Sequence, residues 1–474
     1  MQKEQLISVP EIKGDKKKKE PSLKKIPRAD GAILIGSARP LLKDPLEFFL
    51  EQYKKHGPVY EVRALNRRYV ILAGVEATRF FKENSDRLFD GRPIYSPYGK
   101  DIKSDHVLVG MEGKEHIKFR KALQPIFSKN ALNHLYPQMA ETIRKEMDRL
   151  PEGEAFSVVD EFSKMASLSC GEMITGCPFT GNMRKLSSFA KIFLGAGVGA
   201  FPGFMRVFPK YRRARRATMG FLNETLEKAS SQKEDFPHDR KIWKVLSEFR
   251  KTDGTPLTKQ DKLANLHMPY SNSLVYVGSL AGFLLHFLIQ SDDALARCTE
   301  EAKELFGREQ PPELKEVLNA KWLNAALMET QRLQPISLSA PRVAAEDFSF
   351  MGFQIKKGDP MLIATAVAHY LPEYYPDPEL WSPSRFIPRE GNGSLYGLKS
   401  EIPPEAFVPF GFDKHACIAA PLVRFMTITL VGQMIEKYEI KSLNKTGKLK
   451  LKIAPFPSPH PNWKIKITAE PKKL

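Results

Sequence analysis

The sequence predicts a large α+β domain that is helical over most of its length. Apolar residues recur at three- and four-residue spacing from roughly Glu76 to Pro311, β-rich runs flank that region, and no repeat of fixed period appears. At 474 residues, 42% of them hydrophobic, the chain can build one large core.

Residues 1–30 open polar and turn strongly basic at Lys16-Lys17-Lys18-Lys19, and read as a solvated, disordered tail. No apolar run follows, so no secretory leader is expected. Tyr60–Leu65 and Arg68–Leu72 read as a hairpin turning at Asn66-Arg67. In the helical region, Leu123, Phe127, Leu132 and Leu135 follow helical spacing. Arg342–Ala368 is strand-rich, with turns at Met351-Gly352 and Lys357-Gly358. An irregular proline-rich stretch leads to Cys417, one last helix follows, and Lys448–Thr468 reads as a terminal hairpin. The longest apolar run, Leu274–Ile289, is short for a membrane span and contains His286, so it reads as a buried core helix. Gly278 and Gly282 within it predict close helix packing.

Net charge is +18. The tail supplies part of it, and Lys210-Tyr211-Arg212-Arg213-Ala214-Arg215-Arg216 supplies more. That run reads as a solvated helix face. No zinc-finger or helix-turn-helix signature accompanies it, so no nucleic-acid partner is expected. The four cysteines, Cys170, Cys177, Cys298 and Cys417, form no disulfide framework, which points to a reducing compartment and a cytoplasmic location. In Gly195-Ala196-Gly197-Val198-Gly199-Ala200 the third glycine of a dinucleotide fingerprint falls on Ala200, and no β-rich run precedes it. The chain contains neither a phosphate-binding P-loop nor an H-E-x-x-H metal motif.

Phe410-Gly411-Phe412-Asp413-Lys414-His415-Ala416-Cys417-Ile418-Ala419 places one cysteine between a turn and the helical run from Ala420. Backbone N–H groups at a helix start favour thiolate over thiol. One cysteine cannot build a zinc or iron–sulfur cage, but a thiolate with a basic residue two positions earlier suits a haem iron and a propionate. Three other segments accompany it: Glu329-Thr330-Gln331-Arg332, with its charges on one helix face; Trp381-Ser382-Pro383-Ser384-Arg385-Phe386; and His116-Ile117-Lys118-Phe119-Arg120.

These four segments, in this order, resemble those of the cytochrome P-450 family, over a domain from Gly31 to the C-terminus. The resemblance implies a mainly α fold with a minor β region in a single large domain. It implies haem b (iron protoporphyrin IX), with Cys417 as the axial, iron-ligating thiolate and Phe410 packed near its sulfur. His116, Arg120, Arg342 and His415 are then the propionate candidates, His415 standing where the family usually has arginine. Glu329, Arg332 and Arg385 would be structural, holding the haem-loop region. Asp413 and Ala419 replace family glycines; an aspartate in the left-handed region would preserve the turn, and its charge would lower the iron potential. Phe193–Phe208 matches the family's lid over the substrate entrance, which can touch membranes.

The central helix departs furthest from the family. Asn272-Ser273-Leu274-Val275-Tyr276-Val277 would lie over the haem, with valine for the usual acid and tyrosine for the usual threonine. No acid occurs between Asn265 and Gln290. Asn272, Ser273 and Tyr276 are therefore the catalytic candidates. The leading expectation is a monooxygenase oxidising a hydrophobic lipid, sterol or terpene-like molecule with dioxygen. Its electrons would come from an acidic ferredoxin or flavodoxin-type reductase, and it would act as a monomer with peripheral membrane contact. The alternatives are reductant-independent rearrangement of lipid hydroperoxides, and a non-catalytic haem-thiolate scaffold. Substrate contacts would come from Pro93–Val109, Ala200–Phe208, Asn272–Tyr276, Ile336–Ala340 and Pro455–Pro459.

Overall fold

A twelve-residue helix, α1 (Pro45–His56), is capped by the Asp44 carboxylate on the Glu47 N–H and leads into the predicted hairpin, β1 (Val59–Ala64) and β2 (Arg67–Ala73), paired antiparallel. Two-residue β3 (Phe89–Asp90), β4 (Ala340–Ala344) and β5 (Pro360–Ala364) complete a sheet ordered β1-β2-β5-β4-β3. Most of the chain between β3 and β4 is helical. This computed structural model describes residues 24–32, 35–64, 67–197, 201–231, 241–387, 402–411, 413–443 and 449–469. The lysine run of the expected tail lies outside them, as do Asn66 of the predicted hairpin turn and Ala200 of the glycine cluster. From Lys24 onward the expected tail is held in place: Lys24 bridges to Phe353, and the Ala29 N–H donates to the Glu61 carbonyl.

The helices that position the site are α2 (Gly113–Leu123), α3 (Val158–Thr175), α4 (Met183–Gly197), α5 (Pro209–Ser231), α6 (Lys259–Leu288), α7 (Lys321–Leu333) and α8 (Ala420–Lys437). The apolar run Leu274–Ile289 is the C-terminal half of α6, buried as expected. By length and composition α6 could cross a membrane, but 78% of its most apolar window is buried in protein. A capping box at Thr258 and Asp261 starts it. Its packing on α3 requires small residues: a Cβ on Gly278 would lie 2.3 Å from the Ser163 Oγ, and one on Gly282 2.9 Å from Val159. Both members of the predicted close-packing pair therefore do that work.

Within α6, Ser273–Val277 forms a π turn. Pro269, one turn earlier, has no N–H to give the ladder, and the Ser273 hydroxyl bonds the Pro269 carbonyl.

The expected terminal hairpin does not form as one unit. β6 (Tyr438–Ser442) pairs with β9 (Lys464–Ala469), while the short β7 (Leu451–Lys452) and β8 (Ser458–Pro459) pair with each other. β9 also takes Phe156–Ser157 as a partner, so its register is fixed by chain far away in sequence. The turns at Met351-Gly352 and Gly358 carry positive φ, as a strand-rich segment with tight reversals requires.

Candidate functional site

Cys417 sits three residues before α8, its N–H bonded to the Phe410 carbonyl. The positive φ that the turn needs falls on Gly411, at 71°. Asp413 is not among the positive-φ residues of the described chain, so aspartate is not a left-handed substitute for glycine here. Instead its carboxylate accepts from the His415 N–H at 2.9 Å and lies 3.5 Å from Arg342.

The Cys417 side chain is accessible. Burial nevertheless pushes its pKa up, against the opposing pull of the Ala419 N–H and the Arg120 guanidinium. The expected preference for thiolate at a helix start is thus present but outweighed by burial. Cys417 lines a hollow together with Arg120, Gln124 and Phe127. The other three cysteines are buried.

Basic side chains converge on the Cys417 loop. Arg120 donates to the Ala416 carbonyl at 2.7 Å. His116, four residues earlier on α2, is 1% exposed, and its ring centroid lies 4.2 Å from that of His415. Both His116 nitrogens lack a hydrogen-bond partner, and burial lowers its pKa to about 4. Arg342, on β4, is 5% exposed, lies 5.2 Å from the Phe81 ring centroid, and is near enough to Tyr95 to perturb its hydroxyl. His415 Nε2 lies 3.0 Å from Glu112, a charge contact without aligned hydrogen-bond geometry. Glu112 also meets Lys414 at 3.1 Å. Although burial opposes it, these two neighbours bring the Glu112 pKa down to about 2. Tyr95 and Glu112 were not singled out by the sequence. A carboxylate four residues before His116 was a legible signal for the second; the first lies in the expected substrate-contact segment Pro93–Val109, without having been named in it.

This arrangement fits a haem. It offers a soft ligand lining a hollow, with two arginines and an unpartnered buried histidine touching the loop that carries it. His116, buried with both ring nitrogens unpartnered, is the candidate donor without a hydrogen bond of its own on either nitrogen.

The predicted structural trio is assembled. Arg332 Nε and Nη2 each donate to Glu329 at 2.8 Å, both side chains fully buried, and Arg385 lies 3.3 Å from the same carboxylate. Arg332 also bonds the His369 carbonyl, and His369 Nε2 accepts from the Val408 N–H. That chain ends two residues before Phe410.

On α6 the three catalytic candidates separate. Met268, Pro269, Asn272 and Tyr276 are part-accessible where neighbouring turns are buried, so one face of the helix opens on interior space. Asn272 Oδ1 is buried there without a partner. Tyr276 packs its ring on Phe456 at 4.6 Å, and Cys417 and Tyr95 are close enough to perturb its hydroxyl. Burial raises the Tyr276 pKa well above its ordinary value, so it remains an O–H donor. Ser273 must be corrected. Its hydroxyl is spent on the Pro269 and Tyr270 carbonyls and meets the Cys170 thiol of α3, away from the open face.

The chain matches the cytochrome P450 family model over residues 31–467. It is 23% identical over 464 residues to abscisic acid 8'-hydroxylase 2 of Oryza sativa subsp. indica, covering 95% of this chain and 87% of that protein. It is 25% identical over 435 residues to taxane 10-beta-hydroxylase of Taxus cuspidata, covering 88% and 84%. Among solved structures it resembles retinoic acid bound cyanobacterial CYP120A1, with a TM-score of 0.80, 20% identity, and coverage of 95% of this chain and 100% of that one.

Proposed function

The chain belongs to the cytochrome P450 family, whose cofactor is haem b, and on that premise we propose that it is a monooxygenase acting on a hydrophobic, isoprenoid-like small molecule. The observation that carries this reading is the accessible, desolvated Cys417 thiol, near enough to Tyr276 to perturb its hydroxyl. When bound, the haem supplies an iron whose thiolate ligand favours O–O cleavage. Cys417 would hold the iron; Arg120 and Arg342 would neutralise the propionates, and the neutral His116 ring would donate a hydrogen bond to one of them. Asn272 and Tyr276 supply the polar groups on the open face of α6, Tyr276 standing where the family usually has threonine. Aromatic Phe456 and Tyr276 favour an apolar ligand. Abscisic acid and taxanes, named in the relatives, are isoprenoid ring compounds, which supports that substrate class.

Electrons would come from an acidic ferredoxin or flavodoxin-type partner docking on the monomer. A hollow of about 550 Å³ lined by Arg120, Lys121, Gln124 and Cys417 supports this, since complementary charge speeds encounter. Peripheral membrane contact is supported by Phe204, Val207 and Phe208, at 62%, 58% and 50% exposed, just before the exposed Lys210, Arg212, Arg213 and Arg216 of α5. Co-sedimentation with phosphatidylserine-containing vesicles is expected, with release by high salt and loss in F204S/F208S; retention by that variant would sink the contact.

The absence of an acid between Asn265 and Gln290 favours a second reading, rearrangement of lipid hydroperoxides, which needs no proton relay. Both are tested by giving the haem-loaded protein either isoprenoid substrates with a ferredoxin and reductase, or lipid hydroperoxides with no reductant. Reductant-dependent hydroxylated product is the expected result. Fast turnover of hydroperoxides alone would replace it with the second reading, and silence in both assays would leave a binding scaffold.

A further inference from the structure

A second cavity, of about 560 Å³, lies away from Cys417, between α1, the C-terminal end of α6, the end of α7 and the β7–β8 hairpin. Its floor is apolar, with Phe283, Phe287, Leu338 and Leu451 among the lining residues. Its rim is acidic: Asp44, Glu47 and Glu51 follow one face of α1, and Glu379 approaches from the loop after Pro378. Lys54 is the single Lys or Arg in the lining. Among the described residues Glu47, Glu51 and Glu379 are exposed and have no ion-pair partner, in a chain of net charge +18. Carboxylates around a low-dielectric hollow concentrate negative potential there. His286, on the cavity wall, has its Nδ1 buried without a hydrogen-bond partner. Burial lowers its pKa to about 4, so the ring adds no positive charge near neutral pH.

We propose that this cavity binds an amphipathic organic cation, its apolar body seated on Phe283, Phe287 and Leu338 and its head held at the rim by Glu47, Glu51 and Glu379. The volume is within the range of small-molecule sites. The site is separate from the Cys417 space but shares one loop with it: Pro457 lines this cavity, while Phe456 beside it packs on Tyr276.

Calorimetric titration of the haem-loaded full chain with decyltrimethylammonium tests this, because that cation has no lone pair with which to ligate iron. Decyl sulfate is the control of opposite charge. The cation is expected to bind at one site at least tenfold more tightly than the sulfate, with the haem absorption band unmoved. Trp463 and Trp381 stand behind the cavity, 5.4 Å from His286 and 5.5 Å from Phe287, so tryptophan emission should report the same isotherm. An E47Q/E51Q/E379Q variant should weaken the cation at least tenfold. Asp44 is left in place because it caps α1. Equal affinity for both detergents, an unchanged affinity in the variant, or a shifted haem band would each overturn the proposal.

Discussion

Replacing Cys417 with alanine is expected to lower the oxidation rate at least about a thousandfold, a loss of roughly 4 kcal/mol of transition-state stabilisation. The ferrous–CO absorption band characteristic of thiolate ligation should vanish with it. The fold should change little, because this side chain faces open space and fills no packed hole. The contrast is with Cys170, which is 4% exposed, desolvated until its pKa is pushed up to about 12, and packed in the main core. Cys170→Ala should cost stability through a small cavity and leave the thiolate spectrum intact. Absorption spectra and thermal melts of the two variants separate the roles. A Cys417→Ala protein that kept the thiolate band would remove the site from this loop altogether.

The parts of the fold and site legible in the sequence were those encoded locally. The β1–β2 hairpin, the buried half of α6 and the Gly278–Gly282 packing surface each follow from residues close in sequence. The Glu329–Arg332 pair is also local, since i, i+3 spacing places both groups on one face whatever the tertiary structure does. Non-local pairing was not legible. Alternation along Lys464–Ala469 says strand, but does not say that its partners are Tyr438–Ser442 and Phe156–Ser157. Helix phase was the second blind spot. A π turn adds one residue to the local repeat, so the face presented by Ser273 cannot be counted from a regular helix. Its hydroxyl consequently went to the Pro269 and Tyr270 carbonyls, while Asn272 and Tyr276 took the open face. The Asp413 expectation failed for a related reason: the residue type tolerates positive φ, but Gly411 two positions earlier had already supplied it.

Glu329→Ala is expected to be the most destabilising of the substitutions considered, by about 3–5 kcal/mol. It would strand the fully buried Arg332 guanidinium, which now gives two 2.8 Å bonds to that carboxylate. The Ser382 N–H, 2.9 Å from Glu329, would also lose its acceptor. Arg332 links α7 to the Cys417 loop through the His369 carbonyl and the Val408 N–H, and its guanidinium lies 5.1 Å from the Tyr375 ring centroid. Tyr375 in turn bonds the Ala406 carbonyl. Loss of Glu329 should therefore reach the loop, and haem retention should fall together with the urea midpoint. Arg385→Ala removes a partner that is 17% exposed and leaves the buried pair intact, so about 1 kcal/mol is expected from it. Urea unfolding of both variants, with haem content measured alongside, tests the ordering. Equal effects from the two would mean that the trio acts as a surface contact, not as the buried anchor of the loop.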